Sequence, residues 1–135
     1  MNWDAAAKAL LNNDRIVLTT HVSPDGDGVG SEVALYYFLQ NLDKEVSIYN
    51  PSPLPSEYEF LNEDDIIEEY SPEIRSEIEE ADVFVILDIG AYTRLKELGE
   101  IIQNTGGTTI CIDHHPAKSG QKFDLEYIDI HAAAT

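Results

Sequence analysis

The sequence predicts an α/β fold, a mainly parallel sheet flanked by helices. Residues 83–87 (Val-Phe-Val-Ile-Leu) form a nearly continuous apolar run, the pattern of a parallel strand covered on both faces. Residues 108–112 (Thr-Thr-Ile-Cys-Ile) give a second buried strand of the same kind. Stretches with apolar residues at helical spacing alternate with the strand candidates, which implies right-handed crossovers. A chain of 135 residues is one domain's worth and buries a sizeable core without disulfides. Its 43% hydrophobic and 25% charged residues are a globular composition.

Taken in order, residues 3–13 have helical spacing, and Asn12-Asn13-Asp14 punctuates the end. Residues 15–21 are rich in β-formers and suit a short buried strand. The turn formers Pro24-Asp25-Gly26-Asp27-Gly28 follow, and a helix is expected from about Val29 to Leu42. Its core face would carry Val33, Leu35, Tyr36, Phe38 and Leu39. Residues 45–49 are a further strand candidate, and Asn50-Pro51-Ser52-Pro53-Leu54-Pro55 breaks regular structure. Residues 57–70 suggest a short helix and a loop. Ser71-Pro72-Glu73 reads as a capped helix start, with the helix ending near Ala81. Arg94 to Gln103 is expected to be helical, closed by Gly106-Gly107, and residues 124–130 suit a short edge strand. The ending Ala132-Ala133-Ala134-Thr135 reads like the opening of a helix and suggests a piece of a longer polypeptide.

Charge narrows the partners. There are 26 acidic residues against 8 basic ones, formally -18. Such a surface repels long nucleic acids and anionic membranes, so a polyanionic substrate needs positive charge from elsewhere, such as bound metal ions. No apolar run approaches the ~18 residues of a membrane span. The N-terminus lacks a basic segment leading into a hydrophobic one. The lone Cys111 leaves neither an internal disulfide nor a Cys-rich zinc site. A cytoplasmic setting is expected.

Ligands of open α/β sheets bind beyond the carboxyl ends of the strands. After the first strand come His21, Asp25 and Asp27; after the 83–87 run, Asp88; after 108–112, Asp113, His114 and His115. Three of the four histidines thus fall at one rim, each near an aspartate, and only His131 lies outside it as a surface residue. Imidazole with carboxylate suits Mn²⁺, with Mg²⁺, Co²⁺ and Zn²⁺ as competitors. The rim holds more donors than one ion needs, which points to two ions sharing a bridging carboxylate. Taken singly, residues 24–28 also fit a tight turn or a phosphate cradle at a helix N-terminus, and Asp88 also fits a cap. Asp25 and Asp27 would repel a phosphate unless a cation intervened.

The segment His21-Val22-Ser23-Pro24-Asp25-Gly26-Asp27-Gly28-Val29-Gly30-Ser31 resembles the first motif of the DHH phosphoesterases. Ile86-Leu87-Asp88 followed by Arg94-Leu95 is similar to the second, and Asp113-His114-His115 to the third. The Pro-Asp-Gly-Asp form with trailing Gly-Ser is closer to the oligoribonuclease and pAp-phosphatase branch, the NrnA-like proteins, than to the RecJ exonucleases.

The resemblance implies Mn²⁺-dependent hydrolysis of phosphodiesters or phosphomonoesters, with Asp88, His114, His115 and Asp113 as the catalytic group. It places His21, Asp25 and Asp88 around one ion and Asp27, Asp88 and His114 around the other. Asp113 would hold a histidine in its ligating tautomer. His115 would meet the scissile phosphate or support a ligand, and Arg94 would either face phosphate or anchor the helix start. Gly30 and Ser31 would shape the turn into the helix, and Gly28 stands harmlessly where the family often has a small apolar residue. Residues 1–135 would be a single DHH-type catalytic domain, incomplete at its C-terminal end. The fourth motif, the final strand and the smaller substrate-binding domain would be missing, leaving weak metal binding. The expected substrate is a short oligonucleotide or a small phosphorylated molecule such as pAp, and a homodimer is left open. The alternatives are an exopolyphosphatase or inorganic pyrophosphatase, a cyclic-dinucleotide phosphodiesterase, or a non-catalytic nucleotide-binding module.

Overall fold

The computed structural model describes residues 1–116, 120 and 122–135. Helix α1 (Asp4–Asn12) leads into strand β1 (Arg15–Thr19), then α2 (Gly26–Gln40) and β2 (Glu45–Asn50). A 3-10 helix (Ser56–Leu61) precedes strand β3 (Ile67–Glu69), and a second (Pro72–Ile74) runs into α3 (Arg75–Glu79). Strand β4 (Val83–Leu87), a third 3-10 helix (Tyr92–Leu95), α4 (Lys96–Asn104), β5 (Thr108–Asp113) and β6 (Leu125–Ile128) complete the order.

All five strand pairings are parallel, in the order β3-β2-β1-β4-β5-β6. Strand alternation divides the core into two layers. Ile16, Leu18, Val46, Ile48, Val83, Val85 and Ile110 face Ala6 of α1 and Val29 and Leu39 of α2. Val17, Phe84, Ile86 and Cys111 pack with Ile78 of α3 and Leu98, Ile101 and Ile102 of α4. Both faces being covered explains why β4 is buried at every position. From β1 the chain winds outward to β2 and β3, then returns to lay β4 on the other side of β1. That reversal opens a crevice beyond the ends of β1 and β4, the switch point where ligands bind in such sheets.

The structure corrects several expectations. Helix α2 begins at Gly26, three residues earlier than expected, so Asp27, Gly28, Gly30 and Ser31 are helical rather than turn residues. Asp25 causes this as the N-cap: its Oδ1 accepts from the backbone N–H of Asp27 at 3.0 Å and of Gly28 at 3.2 Å. Gly28 lies against Thr20, and a Cβ there would collide with the Thr20 hydroxyl, so glycine is required in this chain. Phe38 is exposed, and Glu32 occupies the core face of α2 in its place. The segment expected to be a short helix and loop contains β3, a strand of three residues with only Ile67 buried. The helix expected from Ser71 is a 3-10 turn followed by the short α3, and Ser71 makes no side-chain cap. The helix expected from Arg94 likewise splits, with Arg94 in the 3-10 turn before α4. Strand β6 lies at the sheet edge within the 124–130 segment.

Candidate metal centre

Asp88 follows β4 at φ 60°, its backbone N–H donating to the Ile112 carbonyl at 2.9 Å. The left-handed backbone turns the chain at the strand end, and Asp is among the few residues that tolerate it. The side chain is 1% exposed, between the β1 and β5 ends. Its Oδ2 lies 3.5 Å from His21 Nε2, which is also 3.8 Å from Asp25 Oδ2. Its Oδ1 lies 3.3 Å from His114 Nε2, which is also 3.3 Å from Asp27 Oδ2. Each oxygen of this one carboxylate therefore has a histidine beside it, and each of those histidines has an aspartate beside it.

These separations exceed good hydrogen bonds; the two 3.3 Å contacts of His114 match donors sharing one ion, and those of His21 are wider, at 3.5 and 3.8 Å. Bonds of ~2.1 Å at octahedral or tetrahedral angles put neighbouring ligand atoms roughly 3.0–3.4 Å apart. Among the described residues, two sets of donor atoms are close enough to hold a cation, His21-Asp25-Asp88 and Asp88-His114-His115. Asp27 Oδ2 lies beside His114 Nε2 at 3.3 Å but belongs to neither set. A divalent ion also fits electrostatically, because Asp88 and Asp113 are buried carboxylates and Asp113 Oδ2 has no hydrogen-bond partner among the described residues.

The protonation pattern follows from the same contacts. The contact with the Asp88 carboxylate raises the His21 pKa against the opposing effect of burial. Burial pushes Asp88 up, but His21, His115 and the Thr135 hydroxyl together hold it below the usual carboxylate value. His21 Nδ1 is 2.8 Å from the Val22 carbonyl and 2.9 Å from Arg94 Nη2. Donation to Val22 leaves the Nε2 lone pair facing Asp25 and Asp88, the tautomer a cation requires; acceptance from Arg94 is the alternative. His115 Nδ1 is 2.8 Å from Asp113 Oδ1, which also accepts the His115 backbone N–H at 2.9 Å. With its proton donated there, Nδ1 has no lone pair for a metal although Asp88 Oδ1 lies 3.4 Å away, so His115 joins the second set only in the other tautomer. Arg94, Asp113 and His115 also line a neighbouring cavity of about 100 Å³ with Gly90.

Because Asp25 Oδ1 takes the amides of Asp27 and Gly28, the phosphate-cradle reading of residues 24–28 does not hold. His131 is exposed, away from this cluster. Sequence reasoning passed over Thr135 as a contributor. Its backbone N–H donates to Asp27 at 3.0 Å, its hydroxyl to Asp88 Oδ1 at 3.2 Å, and its carbonyl accepts from Ser31 Oγ. A threonine after three alanines carries no local signal of that role.

Among known proteins, the model described as "DHH family, N-terminal domain" matches residues 15–135. The bifunctional oligoribonuclease and PAP phosphatase NrnA of Thermus thermophilus is 35% identical over 121 residues, covering 89% of this chain and 33% of the relative. The crystal structure of an exopolyphosphatase-related protein from Bacteroides fragilis superposes with a TM-score of 0.88 at 31% identity, covering 97% of this chain and 39% of that one. RecJ of Thermus thermophilus, in complex with Mn²⁺, shares the fold with a TM-score of 0.55 at 20% identity; 96% of this chain and 16% of that one are covered. The chain spans a third of the length of the curated relative.

Proposed function

The chain belongs to the DHH family, and on that premise we propose that it is the catalytic part of a two-metal phosphoesterase acting on short oligonucleotides or small nucleotides such as pAp. The observation that carries this reading is Asp88, one buried carboxylate with a different histidine at each oxygen, each histidine in turn beside an aspartate. His21, Asp25 and Asp88 would hold one divalent cation, and Asp27, Asp88 and His114 the other. Mn²⁺ is the preferred ion from the nitrogen and oxygen donors, with Mg²⁺ or Co²⁺ as substitutes. Paired cations, when bound, activate water for in-line attack at phosphorus and neutralise charge on the phosphoryl oxygens.

The chain's own residues do the rest. Asp113 fixes the His115 ring through Nδ1, leaving Nε2 for a phosphoryl or leaving-group oxygen. Arg94 lines the cavity beside His115, where a phosphate would meet its guanidinium. A net charge of -18 disfavours long polyanions, so the centre suits short substrates. The NrnA relative supports nucleotide substrates, while the B. fragilis structure favours a second reading, a polyphosphate or pyrophosphate hydrolase.

Assaying pAp, a short RNA, pyrophosphate and polyphosphate side by side with Mn²⁺ separates the two readings, with fastest turnover expected on pAp or RNA. Asp88→Asn, which suits the left-handed backbone, should cut Mn²⁺-stimulated hydrolysis by about 10²–10³-fold, as removal of a transition-state-stabilising group does. Wild-type turnover in that variant would refute the shared-carboxylate account.

A further inference from the structure

Behind the rim runs a buried polar chain that the metal reading leaves unused. Glu32, fully buried on α2, accepts from Asn50 Nδ2 at 3.0 Å through Oε2. Asn50, the last residue of β2, accepts the Thr20 backbone N–H at 2.9 Å through Oδ1. Thr20 donates its hydroxyl to the Leu87 carbonyl at 2.9 Å. The chain of bonds therefore starts on the helix that carries Asp27 and follows the Asp25 cap. It ends on the residues immediately before His21 and Asp88.

Each link has a reason to be specific. Buried polar groups are costly unless bonded, so a helix displaced along the sheet breaks the Glu32–Asn50 bond and leaves Asn50 Nδ2 unpaired. No Lys, Arg or His bonds to Glu32 among the described residues, and its Oε1 has no partner there, so this carboxyl is not one half of an ion pair. Burial raises its pKa to about 8, the direction a carboxyl held neutral requires.

We propose that Glu32 is a positioning residue: through Asn50 and Thr20 it fixes α2, with Asp25 and Asp27, against the strand ends that carry His21 and Asp88. The proposal rests on the two-cation reading above. Metal ligands depend on the groups that orient them, and loss of such support weakens binding by roughly 10–100-fold.

The test is Mn²⁺ titration by calorimetry, with thermal unfolding in EDTA measured on the same proteins. Glu32→Leu should bind Mn²⁺ roughly tenfold more weakly while still unfolding cooperatively. Glu32→Gln, neutral and able to accept from Asn50, should restore affinity to within about twofold of wild type. If Glu32→Leu does not fold, Asn50→Ser, too short to reach both partners, carries the same expected loss. A folded Leu variant with wild-type affinity overturns the proposal, even if its melting temperature falls, because Glu32 then only packs. A Gln variant that loses as much as Leu also overturns it. Absence of Mn²⁺ binding in the unaltered chain removes the metal reading itself and the proposal with it.

Discussion

Asp88 at φ 60° and Glu32, buried without an ion-pair partner among the described residues, are single residues at which the fold accepts a local cost. A non-glycine residue in the left-handed region costs roughly 1–2 kcal/mol, and such outliers cluster at functional sites. At Asp88 that backbone turns the carboxylate into the crevice between His21 and His114. Glu32 gives a prediction with a definite sign. Its pKa is raised from 4.5 to about 8. Between those values the folded chain keeps a proton that the unfolded chain has released, so folding weakens as pH rises through this window. Below it, both states are protonated and Glu32 contributes no pH dependence. Glu32→Gln has no proton to lose. In EDTA its stability relative to wild type should therefore rise from pH 5 to pH 8, by an amount on the order of a few kcal/mol. Parallel urea-unfolding curves across that range would contradict the neutral carboxyl.

Among the elements, α2 brings two of the candidate ligands, its cap Asp25 and Asp27 in its first turn. Its cap Asp25 divides its oxygens, Oδ1 closing the helix and Oδ2 facing His21 at 3.8 Å. The helix comes close to β1 because Gly28 has no side chain to displace the Thr20 hydroxyl. Gly28→Ala should therefore push α2 outward or break the Thr20–Leu87 bond, at a cost of about 1–3 kcal/mol. Urea unfolding at fixed pH measures this, and a variant as stable as wild type would show that the helix shifts freely. Ordinary helix propensity predicts the reverse, since alanine favours a helix over glycine by ~1 kcal/mol. The sign of the change thus decides between local and tertiary control.

For the whole molecule, the strand order places the candidate ligands that follow β1 and β4 at a single switch point. With 26 acidic residues against 8 basic ones the chain repels itself, and cations bound at the rim would relieve part of that. Saturating Mn²⁺ at ~100 times its Kd should add about 2.7 kcal/mol of stability, visible as a higher melting temperature that EDTA reverses. A melting curve indifferent to Mn²⁺ would count against a formed site.

Much of this was legible along the chain, because apolar runs fix where buried strands stop and the residues after them must line the rim. His21, Asp88, Asp113 and His114 could be picked out that way, and the edge strand at β6 followed from residues 124–130. Short-range patterns could not resolve β3, whose pairing with β2 is set by a distant partner rather than by its acidic residues. They also put Phe38 in the core in place of Glu32, since burial on a helix depends on what packs opposite. The contacts of Thr135 with Asp27 and Asp88 join residues 108 and 47 positions apart.

Sequence by itself determined the parallel α/β architecture and which residues are candidates at the rim, because burial periodicity and ligand chemistry are properties of residue types. Tertiary structure alone decided which oxygen of Asp88 meets which histidine, that Asp25 is both cap and candidate ligand, and that Glu32 lies behind them. Those are distances of a few ångströms between remote segments, and only the packing of helices onto the sheet sets them.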